Sequence, residues 1–379
     1  MGKVLRTLAR GEVFVVACAW LILLLILGTL AQRNMGLFYA QEKYFSSWVF
    51  TLGRLPVPGG RAAMVVIFIS LAAYLLRSEI WRWRKAGLLV AHLGAMLLLV
   101  GGFLTAYFSQ EGTMVIREGE TVDYMMDTVR RELALQVDTG DIPSDLAVFP
   151  DRELEVGRTL RISGMPVKIE LLEYYRNCQV LQRHVPPGLP LRGLARRYRL
   201  MPAERMPDPS GNSACATVRL SGAGSNTDGI YGLVENASRP EELEIAERSY
   251  LLSLRPARTY LPFRMVLTDF SKVDYPGTTV AKSYESTLDL RDGESSRQVI
   301  IAMNEPLRHR GYTFYQSSFF QSSSGETTVL AAVKNHGRIV PYFASLVMCI
   351  GLLIHLASLL LRKQSGLSGS SRQEKRRVS

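Results

Sequence analysis

Apolar residues are concentrated in four runs that alternate with polar segments along the chain. A run of about 20 apolar residues is long enough to cross the hydrocarbon core of a bilayer as a helix. The second run is short for a core about 30 Å thick, and Gly59, Gly60 and Arg61 can extend its outer end. The runs predict a multi-pass membrane protein with four transmembrane helices, at residues 13–31, 62–76, 86–108 and 339–361.

The segment between the third and fourth runs has the pattern of a globular domain. Most of residues 109–338 alternate apolar and polar positions or are rich in β-branched and aromatic residues, with Gly, Asp, Asn or Pro turns between the segments. We expect a large β-rich domain, a sandwich or a barrel-like stack of antiparallel strands. Within it, residues 235–248 are the best candidate for a helix. The whole segment 109–338 is long enough to bury a core as one large domain or two small ones.

The basic residues lie beside the apolar runs and predict the topology. The formal net charge is +11, and Lys and Arg cluster in the N-terminal tail 1–12, in the loop 77–85 and in the C-terminal tail 362–379. Because basic residues stay on the cytoplasmic side, these three segments are expected in the cytoplasm. The domain at 109–338 is then extracytoplasmic, on the periplasmic side of the inner (plasma) membrane of a bacterial envelope. This placement explains the charge without a nucleic-acid partner.

The four cysteines fall into two groups. Cys18 and Cys349 lie inside apolar runs, where cysteine packs as a small apolar residue. Cys178 and Cys215 lie in the β-rich domain and can pair if that domain is extracytoplasmic, which the sequence leaves open. The sequence contains no CxxC and no CxxCH motif, so thiol–disulfide exchange and a c-type haem of its own are not expected.

Two histidines occur inside apolar runs. His92 lies seven residues after Lys85, and His355 lies seven residues before Arg362, so both are expected roughly 10 Å inside the cytoplasmic face. Ionisable residues within a membrane are functional candidates, and a pair at one depth suggests a shared ligand such as haem iron. The alternative for each is a hydrogen bond that joins two helices.

The other histidines and the motifs of the sequence add no catalytic candidate. His309 and His336 are expected on the extracytoplasmic surface, where solvation is the simpler hypothesis and contact with haem propionates or a partner the alternative. His184 has no supporting context. The sequence has no GxSxG, HExxH, phosphate-loop or dinucleotide motif, so no catalytic residue is predicted.

Six segments resemble the ResB family, also called CcsB, of the system II cytochrome c maturation pathway. Each is short, but their order and spacing together are specific, and the resemblance extends from about residue 11 to residue 361. The segments are GTLAQ (28–32), AQEKYFSSW (40–48), HLG (92–94), EGTMVIREGET (111–121), YPGTTVAKSYESTLDL (275–290) and MNEPLRHRGYTFYQSSF (303–319).

The resemblance implies a haem-handling subunit of a cytochrome c synthase complex, which exports haem b and presents it to apocytochrome c. Such proteins work with a CcsA-type (ResC) membrane partner that bears a tryptophan-rich loop, and this chain has no such loop of its own. The subunit is then a non-catalytic or co-catalytic part of a haem lyase. The resemblance makes His92 a ligand of the haem iron and assigns the second transmembrane ligand to the partner. That His355 is a second ligand within this chain is a hypothesis from its depth alone.

Two other functions remain open from the sequence. In one, the chain is a non-catalytic membrane scaffold or chaperone whose β domain binds apocytochrome or the partner, and the histidines only pack helices. In the other, the chain is a transmembrane electron carrier with haem b between its helices, which leaves the large β domain unexplained.

Overall fold

The protein consists of two compact units. The computed structural model describes residues 3–77, 80–138, 144–183, 188, 190–235, 237, 239–278, 280–322 and 325–377. The helical unit comprises Met1–Gln110 and Lys334–Ser379, and the β unit comprises Glu111–Val333. The β unit is therefore inserted between the third and fourth long apolar segments of the chain.

In its described residues, the helical unit contains five α-helices and a small hairpin. Gly11–Phe45, Ala86–Phe108 and Val340–Leu361 are long and apolar enough to cross a membrane. Many of their apolar side chains are exposed, which requires an apolar surrounding such as lipid. The helix Gly60–Leu75 has only 16 residues, so its role as an additional membrane span stays a prediction. The helices are α1 (Lys3–Leu8), α2 (Gly11–Ala40), α3 (Gly60–Leu75), α4 (Ala86–Phe108) and α5 (Val340–Arg377), and the hairpin is β1 (Val49–Leu52) with β2 (Leu55–Pro58).

The closest helix contact is the antiparallel pair of α4 and α5. Gly87, Gly94 and Gly101 follow one another at intervals of seven residues along α4. A Cβ atom on Gly94 would lie 2.7 Å from the Met348 backbone nitrogen, and one on Gly101 would lie 2.8 Å from the Val340 side chain. Small residues thus allow the two backbones to touch, which is a common basis of helix association in membranes, where lipid removes the hydrophobic driving force.

A large β-rich domain is confirmed. Strand pairs whose register is described are antiparallel. The strands are β3 (Gln110–Arg117), β4 (Thr121–Val137), β5 (Ser144–Pro150), β6 (Thr159–Arg161), β7 (Lys168–Tyr175), β8 (Cys178–Gln182), β9 (Tyr198–Pro202), β10 (Cys215–Ser221), β11 (Gly229–Val234), β12 (Glu241–Ile245), β13 (Arg248–Asp274), β14 (Ala281–Asp292), β15 (Ser295–Ala302), β16 (Leu307–His309), β17 (Tyr312–Ser322) and β18 (Gly325–Lys334).

Two long strands combine two hydrophobic cores into one unit. The ten-stranded sheet has the order β15-β14-β13-β4-β3-β18-β17-β16, with β12 paired to β13 and β5 paired to β4. One core, which includes Met265 and Phe314, lies along the second half of β13 and the strands β14 to β18. The other core, which includes Leu133 and Leu252, packs β4, β5, β12 and β13 against a second sheet of order β11-β10-β7-β6. Because β4 and β13 contribute to both cores, neither half can be separated without cutting a strand.

The predicted helix at 235–248 is wrong. The described part of this segment contains strand β12, a turn at Ala246 (φ 48°) and Glu247 (φ 63°), and the start of β13. Leu243 and Ile245 are buried and alternate with exposed glutamates, which is the period of a strand. Pairing with β13 therefore outweighs the helix propensity of Glu and Ala.

Substitution of Gly94 tests the α4–α5 contact. Gly94→Val should destabilise the full chain by about 1–3 kcal/mol, because the new side chain overlaps the α5 backbone. Gly102→Val is the matched control, since a Cβ at Gly102 has nothing within 4 Å. Thermal loss of the monodisperse size-exclusion peak in detergent measures the effect. Equal melting temperatures for the two variants would contradict the close packing.

A half-buried carboxyl in the β unit makes stability depend on pH. Glu241 accepts a hydrogen bond from the Leu194 backbone N–H at 2.7 Å, and burial raises the pKa of its carboxyl above the usual value. The neutral carboxyl is therefore favoured in the folded chain. Its stabilisation is complete below the pKa of the unfolded chain and is lost as the pH rises through the folded-state pKa.

Glu241→Gln should remove this dependence. The amide oxygen still accepts from Leu194, but no charge has to be buried at neutral pH. We expect the melting temperature of the variant to match that of wild type near pH 4 and to exceed it progressively as the pH rises to neutrality. A constant difference across this range, measured by thermal unfolding of the full chain, would show that burial of the Glu241 charge is not the cause.

Candidate functional site

His92 is held in one tautomer on α4. Its Nδ1 lies 2.7 Å from the carbonyl oxygen of Leu88, one turn earlier in the same helix. A carbonyl oxygen only accepts, so Nδ1 carries the proton and donates it. The lone pair of the neutral ring is then on Nε2, on the opposite side of the imidazole. Histidines that bind metals have this arrangement, in which one nitrogen is fixed by a carbonyl and the other is the ligand.

Tyr74 of α3 packs against the His92 ring. The two ring centroids lie 4.9 Å apart with an angle of 37° between the planes. Both side chains are partly buried, and Tyr74 packs on the apolar cluster of Leu71, Leu75 and Ile80 at the α3–α4 contact. Nothing in the sequence pattern singles out Tyr74 as a neighbour of His92. Its only signal is its position in the last turn of the short apolar run.

The glycines near His92 serve a helix contact. Small residues such as Gly94, Gly101 and Gly102 allow close approach of a second helix or of a planar macrocycle. Gly94 and Gly101 face α5 closely, so they belong to the α4–α5 contact. Gly102 has open space around it. His92 is one residue after the buried Ala91 of this contact, about 100° further round the helix, and packs on α3 instead.

His355 lies on α5 and is offset from His92. The backbone of His355 contacts Gly87, while Met348 contacts Gly94. Five residues of α4 separate Gly87 from His92, which is about 7 Å along the helix. The equal depth expected from the sequence is therefore not observed. No described residue hydrogen-bonds the His355 ring, and its role as an iron ligand stays a prediction.

The remaining histidines have separate surroundings. His309 Nε2 lies 2.9 Å from Asp292, which also accepts a hydrogen bond from Arg310 at 2.7 Å. The Arg310 hydrogen bond in particular holds the pKa of the Asp292 carboxyl below its usual value. His336 is exposed, with its Nδ1 3.1 Å from the Phe108 carbonyl oxygen. His184 lies outside the described residues.

A buried ionic network in the β unit has no signal in the sequence. Arg131 contacts Glu235 at 2.6 Å, and Arg255 contacts Glu132 at 2.9 Å and Asp145 at 2.7 Å. Burial alone would raise the pKa of the Asp145 carboxyl, but the hydrogen bond and charge of Arg255 outweigh it and lower the pKa. Since Glu132, Asp145 and Arg255 lie on β4, β5 and β13, this part of the network joins three strands and is structural.

Cys178 and Cys215 form a disulfide, with their Cα atoms 6.2 Å apart. The bond joins the first residue of β8 to the first residue of β10 and closes a loop with a sequence separation of 37 residues. Cys18 and Cys349 are free thiols on the apolar helices. The pairing that the sequence left open is therefore present in the structure.

The described residues offer single imidazoles as metal ligands. Among them, no three His, Cys, Asp or Glu side chains lie together in a group that could hold a metal ion. Haem iron differs from a bare ion, because the porphyrin supplies four ligands and the protein only one or two. His92, with its fixed Nδ1–H, fits the part of one axial ligand.

Comparison with known proteins identifies a family over two segments of the chain. The ResB-like family matches residues 73–146 and 228–340, which include Tyr74, His92 and most of the ten-stranded sheet. His355 and the disulfide lie outside the matched segments. Protein NrfI of Wolinella succinogenes is 23% identical over 303 residues, which are 78% of this chain and 30% of that protein. The chain thus spans less than a third of the length of this relative. On these matched segments, the chain belongs to the ResB-like family.

Proposed function

We propose that this chain acts in cytochrome c maturation, as a membrane subunit that holds haem b and presents it to apocytochrome c. Membership of the ResB-like family supports the pathway. The observation that supports the haem step is the His92 imidazole, which lies in an apolar helix with Nδ1–H bonded to Leu88 and Nε2 free of that bond. Haem is the cargo in this proposal, and the subunit is a non-catalytic or co-catalytic part of a haem lyase.

Three groups of the chain would bind and orient the haem. His92 would bind the iron through Nε2, the Leu88 carbonyl would fix the ring orientation, and Tyr74 would cover one face of the imidazole. The ligand role uses the lone pair of Nε2, which the Leu88 hydrogen bond leaves available. His355 is the weaker candidate for a second ligand because of its offset. The other axial position would belong to a histidine of a CcsA-type partner with a tryptophan-rich loop.

We further propose that the β unit lies on the periplasmic side of the inner membrane. A disulfide within it fits an oxidising compartment. The basic residues near the start of the chain and those just before α4 would both be cytoplasmic. Two crossings are then needed between them, so α2 and α3 must both span. The 16 residues of α3 cover about 24 Å, so flanking residues or local thinning of the bilayer would complete the crossing.

Replacement of His92 tests the haem step. In complex with its partner, His92→Ala should lose at least about tenfold of the haem bound per protein, because the iron loses an axial ligand. The intensity of the Soret band after purification measures this occupancy. Added imidazole should restore part of the band in His92→Gly, since it can occupy the space of the lost side chain.

His355→Ala is the matched control, as it removes a second imidazole from the same membrane unit. It should keep most of the haem if the partner supplies the other ligand. A His92→Ala protein with an unchanged spectrum and normal cytochrome c maturation would instead favour the scaffold function. Reversible redox turnover with a quinone, together with normal maturation after deletion, would favour the electron carrier.

The disulfide tests the proposed side of the β unit. In protein taken directly from membranes, a maleimide under denaturing conditions should label Cys18 and Cys349 at once, and Cys178 and Cys215 only after reduction. Cys178→Ser should destabilise the β unit by about 3–4 kcal/mol, because the bond closes a loop of intermediate length. Full labelling of all four cysteines without reductant would argue against an oxidising compartment.

A further inference from the structure

We infer that the outer edge of β8 binds an extended acidic polypeptide, which adds to the β8–β9 hairpin as a third strand. This surface lies outside the two segments matched by the ResB-like family. Only the identity of the natural partner rests on the proposed function. That partner would be apocytochrome c, which is an extended chain before haem is attached. The surface itself follows from the hydrogen bonds, exposure and charge of the hairpin.

The hydrogen bonds of the hairpin show which residues face outward. The Arg183 N–H donates to the Arg197 carbonyl at 2.8 Å, and the Ala203 N–H donates to the Asn177 carbonyl at 3.0 Å. Odd-numbered residues of β8 therefore face β9, and even-numbered ones face away. The sheet contains β8 and β9 alone among the described strands, so Val180 and Gln182 direct their backbone groups to an open edge.

Both faces of β8 are exposed as well. Val180 is 42% exposed and Leu181 is 48% exposed. Because consecutive residues of a strand point to opposite faces, these two values show that each face of β8 is accessible. Leu200 of β9 is buried at 3% and anchors the hairpin on the domain. Exposed edge strands attract additional strands, and proteins usually protect them. β8 carries no proline, lysine or other charged residue along its length.

The start of the edge is rigidly attached to the domain. Cys178 is bonded to Cys215, and its N–H donates to the Ser213 carbonyl at 3.1 Å. The Asn177 side chain donates to the Glu204 carbonyl at 2.5 Å and accepts from the Ser213 N–H at 3.1 Å. A strand that is held in position before binding loses little conformational entropy when a peptide pairs with it.

The charge of this segment is opposite to that of the rest of the β unit. Residues 178–205 contain six arginines and one glutamate, whereas the remainder of 111–333 contains 20 basic and 29 acidic residues. Exposed residues on β9 and just before it include Arg196, Arg197 and Arg199, and none of them forms an ion pair with a described residue. The Nε of Arg183 is buried without a hydrogen-bond partner in the described part of the chain. An acidic strand is the complementary partner.

Strand addition uses main-chain hydrogen bonds and so tolerates many sequences. Binding is therefore tested with a fluorescein-labelled peptide of alternating threonine and glutamate, about six residues long, which is the usual length of a strand. The protein is the full chain in discs of neutral phosphatidylcholine, and the anisotropy of the peptide is measured. We expect saturable binding, and at least about tenfold weaker binding when lysine replaces glutamate in the peptide.

Val180→Pro tests the edge directly. Proline removes an outward N–H and places a ring at the edge, while the bonds to β9 remain, so peptide affinity should fall about tenfold or more. Val180→Thr keeps the N–H and should bind within about twofold of wild type. A peptide that is N-methylated at alternate residues provides a second measurement with unchanged protein, and it should not bind. The Cys178–Cys215 bond, checked by maleimide labelling, reports whether the hairpin has folded in the Val180→Pro variant.

Three results would overturn the inference. They are no binding of the acidic peptide to wild type, unchanged binding by Val180→Pro, and equal binding of the N-methylated peptide. Binding of the wild-type chain to phosphatidylglycerol vesicles, lost in Arg199→Glu and kept in Val180→Pro, would assign the arginines to a lipid surface instead. None of these measurements involves haem. A negative peptide result with normal His92-dependent haem binding would reject the edge alone, and the reverse would reject the haem proposal alone.

Discussion

The close contact of α4 with α5 decides how the membrane unit presents its chemistry. Glycines at intervals of seven residues bring the two backbones together, and this contact occupies one face of α4. His92 is thereby directed away from α5 and toward α3, where Tyr74 meets it. Because lipid provides no hydrophobic force between helices, such backbone contact is what fixes the faces of a helix in a membrane. The orientation of His92 is a consequence of this packing.

His92 combines two properties that a haem ligand in a membrane needs. Its Nδ1–H is bonded within its own helix, so the orientation of the ring does not depend on the arrival of a partner. Its Nε2 then carries the lone pair and is free of that bond. Tyr74 adds a flat neighbour that limits rotation of the ring. His355 has no comparable arrangement among the described residues, and its role as a ligand stays a prediction.

In the β unit, two long strands extend through both hydrophobic cores, so the cores are not separated by a domain boundary. β13 has 27 residues and β4 has 17, and each contributes side chains to both cores. Buried pairs such as Arg131–Glu235 satisfy polar groups inside this arrangement. The β8–β9 hairpin is the exception, since it is a separate two-stranded sheet joined to the domain through the disulfide. A separate and basic hairpin on an otherwise acidic unit is suited to a partner.

The sequence by itself determined the apolar helices, the β-rich character of the inserted domain and the position of His92, since hydrophobic periodicity and residue type are local properties. It misassigned residues 235–248, where Glu and Ala favour a helix locally and pairing with β13 imposes a strand. The offset of His355, the ring of Tyr74 against His92 and the Cys178–Cys215 bond were decided only by the tertiary structure. Each depends on which residues of distant segments lie opposite one another, and that register is set by packing across the whole unit.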